Sequence, residues 1–196
     1  RKALGYLFAV HVPIVGVALI PVVMGGPVLL LPLHVVLLEL LIDPACSLVF
    51  EAEPAPDDSM SVPPRRRDDA LFSLASAMRA FAMGALVFVG AAAVQWACRA
   101  LGATHEELRL ASLGSIVLGN LLLLLWFLGE GVRLAHTNEV LYALLIAVSA
   151  VWGLLTAVPG VGSVFGLPGA TSPWALWIVL PAGWAVWRLL TISRHH

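Results

Sequence analysis

Long apolar runs separated by short polar ones dominate the chain. Six of them, near residues 4–24, 28–50, 74–101, 108–129, 138–158 and 172–192, have the length of a membrane-crossing helix, which takes about 20 residues. The pattern predicts an all-α, polytopic membrane bundle of six transmembrane helices. Gly25-Gly26-Pro27 separates the first two runs; this is turn chemistry and predicts a tight helix hairpin. The longest polar stretch, 51–73, holds six acidic residues, three arginines and four prolines and predicts an aqueous loop. Residues 159–171 are rich in Gly and Pro and carry no charge. The chain thus divides into a hairpin (1–50), a cytoplasmic loop (51–73) and a four-helix block (74–196).

Composition supports the membrane class. The chain is 60% hydrophobic and 12% charged over 196 residues, with a mean hydropathy of +0.95. Soluble domains carry about 25% charged residues. The net charge of −1 points to no particular partner, and no nucleic-acid partner is expected. Lys2 is the single lysine, which excludes a Walker-type phosphate loop, and no glycine-rich phosphate cradle occurs elsewhere. The chain by itself is therefore expected neither to bind nor to hydrolyse ATP. Cys46 and Cys98 are too few for a disulfide framework, and each sits in an apolar run as a small buried hydrophobe. Arg1-Lys2 leads into an apolar stretch with no cleavage site, which is not a secretory signal. Position 1 is not Met, and a segment of a longer polypeptide is expected.

Six spans put both termini on one side of the bilayer. Placing them in the cytoplasm gives that face Arg1, Lys2, Arg65, Arg66, Arg67, Arg79, Arg133, Arg188 and Arg194, against Arg99 and Arg109 opposite. The positive-inside rule favours this orientation. Trp174, Trp177, Trp184 and Trp187 punctuate the last span and read as interfacial anchors. Gln95 and Asn120, within spans three and four, read as interhelical hydrogen-bond formers.

The chemistry is concentrated in span two. Glu39 and Asp43 lie four residues apart near its middle, so a helix places both on one face. Ionised carboxylates at that depth are costly, and two together repel. Bound cations, protons or a basic partner must offset that cost. Arg79, Arg99 and Arg188 lie towards span ends and can snorkel, whereas His11 lies inside span one, across the hairpin. Carboxylate oxygens suit hard cations. Pro44 follows Asp43 and Pro13 follows His11 by two residues; both prolines remove a backbone donor and are expected to open the helices locally. The expected ligands are Glu39, Asp43 and His11, with Pro13 and Pro44 shaping the site. A protonated, hydrogen-bonded carboxyl pair is the plainer reading. His34, near the non-cytoplasmic end of span two, reads as interfacial.

The stretch Tyr6-Leu-Phe-Ala-Val-His11-Val-Pro13, with Leu38-Glu39-Leu-Leu-Ile-Asp43-Pro44-Ala-Cys46-Ser47 and Met60-Ser-Val-Pro63-Pro64-Arg65, resembles helices five and six of type II P-type ATPases and the loop after them. It is most similar to bacterial calcium-ATPase-like members. Four further spans are similar to helices seven to ten by hydropathy alone. The resemblance implies a multi-pass cell-membrane pump that couples ATP hydrolysis to cation transfer. It implies that the phosphorylated Asp-Lys-Thr-Gly motif, the nucleotide domain with its ATP and magnesium, and helices one to four belong to a preceding part of the polypeptide. It places the family's helix-six ion positions on Glu39 and Asp43 and its helix-five position on His11. Two acidic positions of the animal calcium pumps fall on Ile14 and Val117, which implies fewer ligands and a single-cation site. Calcium is the first expectation, with manganese, magnesium and a monovalent ion as alternatives. The rival expectation is a self-sufficient six-span carrier or membrane scaffold.

Overall fold

The computed structural model describes residues 2–52, 73–129 and 139–168. The arginine run at 65–67, most of the 51–73 loop, the sixth span at 172–192 with its tryptophans, and the side chain of Cys46 lie outside the described residues. The described chain is helical without strands: α1 (Lys2–Val23), α2 (Pro32–Pro44), a π-helical turn (Ala45–Val49), α3 (Leu74–Ala100), α4 (His105–Gly129), α5 (Glu139–Ala157) and the short α6 (Pro159–Val164). Five of these units are long and apolar enough to cross a bilayer: α1, α2 with its π turn, α3, α4 and α5.

Local chemistry sets the helix ends. Gly25 takes φ 72°, and the Gly26 N–H returns to the Pro21 carbonyl at 2.7 Å, which closes α1 with a left-handed residue just past its end. Pro32 occupies the first turn of α2, where its missing N–H costs nothing. Ser73 caps α3 by accepting the Ser76 N–H at 3.1 Å. Thr104 and Glu107 form a reciprocal capping box before α4: the Thr104 N–H donates to Glu107 Oε2 at 2.8 Å, and the Glu107 N–H donates to Thr104 Oγ1 at 3.3 Å.

The expected tight hairpin between the first two spans is opened out. α1 packs along α3 and α4 rather than along α2, and it meets the second span at the π turn. The cause lies in the connection, where Leu29 and Leu30 are buried in the core instead of forming a solvated turn. Residues 28–31 therefore run as chain and α2 starts at Pro32.

The α1–α3–α4 seam is built from small residues against large ones, as bilayer helices require in the absence of a hydrophobic drive between them. A Cβ on Gly84 would collide with the Ala9 carbonyl oxygen and lie 2.8 Å from Val12 Cβ. One turn further, the Phe88 ring fills the space a Cβ on Gly16 would need, at 2.5 Å. Phe127 from α4 stands likewise over Gly5, at 2.6 Å. α4 is the most buried of the described spans, with Leu113, Ile116 and Leu124 fully enclosed. Cys98 is buried, as a small hydrophobe in an apolar run should be.

Candidate functional site

α1 and α2 carry the groups that the sequence singles out, and the fold brings one pair of them together. His11 Nε2 stands 3.5 Å from Glu39 Oε1, linking two helices that otherwise make little contact. The other ring nitrogen, Nδ1, is 2.7 Å from the Leu7 carbonyl oxygen. A carbonyl only accepts, so Nδ1 carries the proton and donates. In the neutral ring Nε2 is then a lone pair aimed at a carboxylate oxygen. Two lone pairs facing each other need something positive between them, a proton or a metal cation. The Leu7 carbonyl holds the imidazole as outer-shell carbonyls hold metal-binding histidines.

Asp43 lies one helical turn beyond Glu39 and is exposed on the surface of the described bundle. The side chains of His11 and Glu39 are also half-open, at 44% and 41%. All three groups thus face outward from the described helices. Among the described residues no group of three or more His, Cys, Asp or Glu gathers around one point. The structure pairs His11 with Glu39 and leaves Asp43 outside that pair.

The prolines act differently from a simple break. α1 runs through Pro13 as continuous helix. What Pro13 removes is the N–H that would have bonded the Ala9 carbonyl, and this is the oxygen against which Gly84 packs. Pro44 is itself helical, with φ −63° and ψ −35°, so Asp43 remains in the helix. The chain after Pro44 widens into the π turn Ala45–Val49, a distortion frequent at functional sites. The Asp43 carbonyl accepts the Ser47 hydroxyl at 2.7 Å, so that oxygen is engaged rather than left open.

Behind this face lies a small cavity of about 10 Å³, lined by Tyr6, Ile42, Ala45, Val117, several leucines and the polar Asn120. It offers room for about one water. Asn120 is 6% exposed, and its Oδ1 finds no hydrogen-bond partner among the described residues. Gln95 Nε2 is buried without a partner in the same sense. The expected interhelical bonds of these two atoms are not formed among the described residues. The π turn was also missed by sequence reasoning; Pro44, directly after Asp43, was its signal.

His34, read from the sequence as interfacial, is fully buried among protein groups at the start of α2. Its Nδ1 accepts the Leu31 N–H at 3.2 Å, and its Nε2 donates to the Phe165 carbonyl at 2.7 Å. The uncharged 159–171 stretch, read only as Gly- and Pro-rich, supplies that partner through α6 and the turn that follows it.

No curated protein and no solved structure matches the chain. A family model for the C-terminus of cation-transporting ATPases matches residues 27–194, which takes in Glu39, Asp43 and every span but the first. On a match of that extent, together with several apolar membrane-length helices, the chain belongs to the family of cation-transporting ATPase C-terminal membrane regions.

Proposed function

We propose that this region is the cation-translocating membrane part of a type II P-type pump, similar to the bacterial calcium-ATPase-like members, with both termini cytoplasmic in the cell membrane. The transported ion is a divalent cation, calcium first. Glu39 and Asp43 supply oxygen ligands and His11 lines the site, with Pro13 and Pro44 shaping the backbone around it. The observation that carries this reading is the His11–Glu39 pair, a lone pair and a carboxylate aimed at one another between two membrane helices.

The outward-facing placement of His11, Glu39 and Asp43 fits a site completed by further helices of the ATPase polypeptide. Ionised groups left facing hydrocarbon would be costly, and covering helices plus a bound cation remove that cost. α1 would carry motion from the phosphorylation domain into the site. A cation then exchanges sides as the bundle shifts between two states of different affinity.

Asp43→Asn in the complete ATPase tests the assignment. The expected outcome is loss of cation-stimulated ATP hydrolysis with phosphorylation by inorganic phosphate retained. Full cation-stimulated activity would remove Asp43 from the site.

A further inference from the structure

We propose that His11 sets which divalent ions the site accepts, its ring nitrogen extending the range from calcium to manganese and like first-row divalent metals. This rests on the cation site proposed above and adds to it the chemistry of one donor. His11 Nε2 is 3.5 Å from Glu39 Oε1. A hydrogen bond between a ring nitrogen and a carboxylate is shorter, about 2.7–2.9 Å. Two metal bonds of about 2.1 Å each span the observed separation at a bent angle, as neighbouring positions of one coordination shell do. The spacing therefore suits one ion held by both atoms better than one shared proton.

The ring is set for that role by its own helix. Nδ1 stands 2.7 Å from the Leu7 carbonyl oxygen, one turn back on α1. That bond keeps the ring proton on Nδ1 and leaves the Nε2 lone pair as the atom offered to an ion. α1 runs unbroken from Leu7 through His11 to Val23, so the imidazole and the carbonyl that orients it share one element. Glu39 answers from α2, and Asp43 stands one turn further along the same helix. The His11 and Glu39 side chains are half-open. Their open side leaves the other coordination positions to water or to oxygen ligands from further helices of the ATPase polypeptide.

The donor set decides the class of ion. Calcium and magnesium are hard cations that bind through oxygen, so an imidazole serves them less well than an oxygen at the same place. First-row divalent metals take imidazole nitrogen alongside carboxylate. Manganese suits a set of one nitrogen among oxygens, because carboxylate-rich sites already accept it. Glu39 and Asp43 by themselves would make an all-oxygen set, which separates calcium from manganese by size and geometry. His11 adds a bond that favours manganese. His11→Gln replaces the nitrogen with an amide oxygen at similar reach, so it should move the preference towards calcium.

The test is equilibrium binding of manganese alone and of calcium alone to the purified complete ATPase, with wild type, His11→Gln and Glu39→Gln side by side. His11→Gln should lower the ratio of manganese to calcium affinity about tenfold or more. An unchanged ratio, or a wild type that binds calcium and not manganese, would overturn the proposal. Glu39→Gln tells the two readings apart. If it loses both ions while His11→Gln leaves the ratio unchanged, this inference fails and the cation site stands. If it keeps both ions, the site fails and this inference with it. Pulsed electron paramagnetic resonance of manganese bound to the wild type reads the donor directly. Modulation from a coupled nitrogen, altered when the histidines carry the heavy nitrogen isotope and lost in His11→Gln, is the result expected. Bound manganese without a coupled histidine nitrogen would overturn the proposal without any substitution.

Discussion

The His11 imidazole meets the Glu39 carboxylate at 3.5 Å, and the ring is turned towards it by the bond from Nδ1 to the Leu7 carbonyl. Two helices that barely touch are therefore joined at one polar point. Glu39 lies inside the region matched to the ATPase family and His11 lies before it. The pairing thus adds a polar link between α1 and α2 to the packing that holds α1 on α3 and α4.

Removing the imidazole should weaken cation binding without abolishing it. His11→Ala in the complete ATPase is expected to raise the cation concentration for half-maximal ATP hydrolysis about tenfold, the size of one lost charge-assisted contact. A titration of activity against cation concentration checks this. Unchanged affinity would place His11 outside the site.

The α1–α3 seam predicts a contrast between two glycines of the same helix. Gly84→Ala drives a Cβ into the Ala9 carbonyl and Val12, and overpacking of that kind costs about 1–3 kcal/mol. Gly90→Ala meets nothing within 4 Å and should gain up to about 1 kcal/mol of helix propensity. Thermal unfolding in detergent should move down for the first and stay level or rise for the second.

Asn120 gives a stability test with the opposite sign. Its buried, unpartnered Oδ1 carries a desolvation cost of about 1–3 kcal/mol. Asn120→Leu, which fills the same space with apolar atoms, should raise the unfolding temperature. A drop would mean that the cavity beside Tyr6 holds a partner for this oxygen.

The cap of α4 is separable from the site. Thr104→Ala removes both hydroxyl bonds of the Thr104–Glu107 box and should cost about 1 kcal/mol. Thermal unfolding should register that loss while cation affinity holds.

Much of this was legible in the sequence because the bilayer enforces it. Apolar runs of membrane length announced α1, α3, α4 and α5 to within a few residues. Glu39 stood out because a carboxylate in such a run demands a reason, and His11 because it offered one. The opened hairpin was not legible. Gly25-Gly26-Pro27 reads as a turn wherever the following residues go, and it was burial of Leu29 and Leu30, a tertiary event, that sent them inward. Pro44 read as a break but appears as a wider turn, because proline at the end of a helix can keep helical angles and move the distortion to the residues after it. The Thr104-x-x-Glu107 signature of the α4 start was present in the sequence and needed no tertiary information. The partner of His34 is 131 residues away and in an uncharged loop, beyond the reach of any local pattern.

Equilibrium binding of radioactive calcium to the purified complete ATPase, compared between wild type and Glu39→Gln, tests the central assignment most directly. Saturable binding in the wild type that is lost in a folded Glu39→Gln variant is the result predicted. Equal binding by both would contradict a cation site at Glu39.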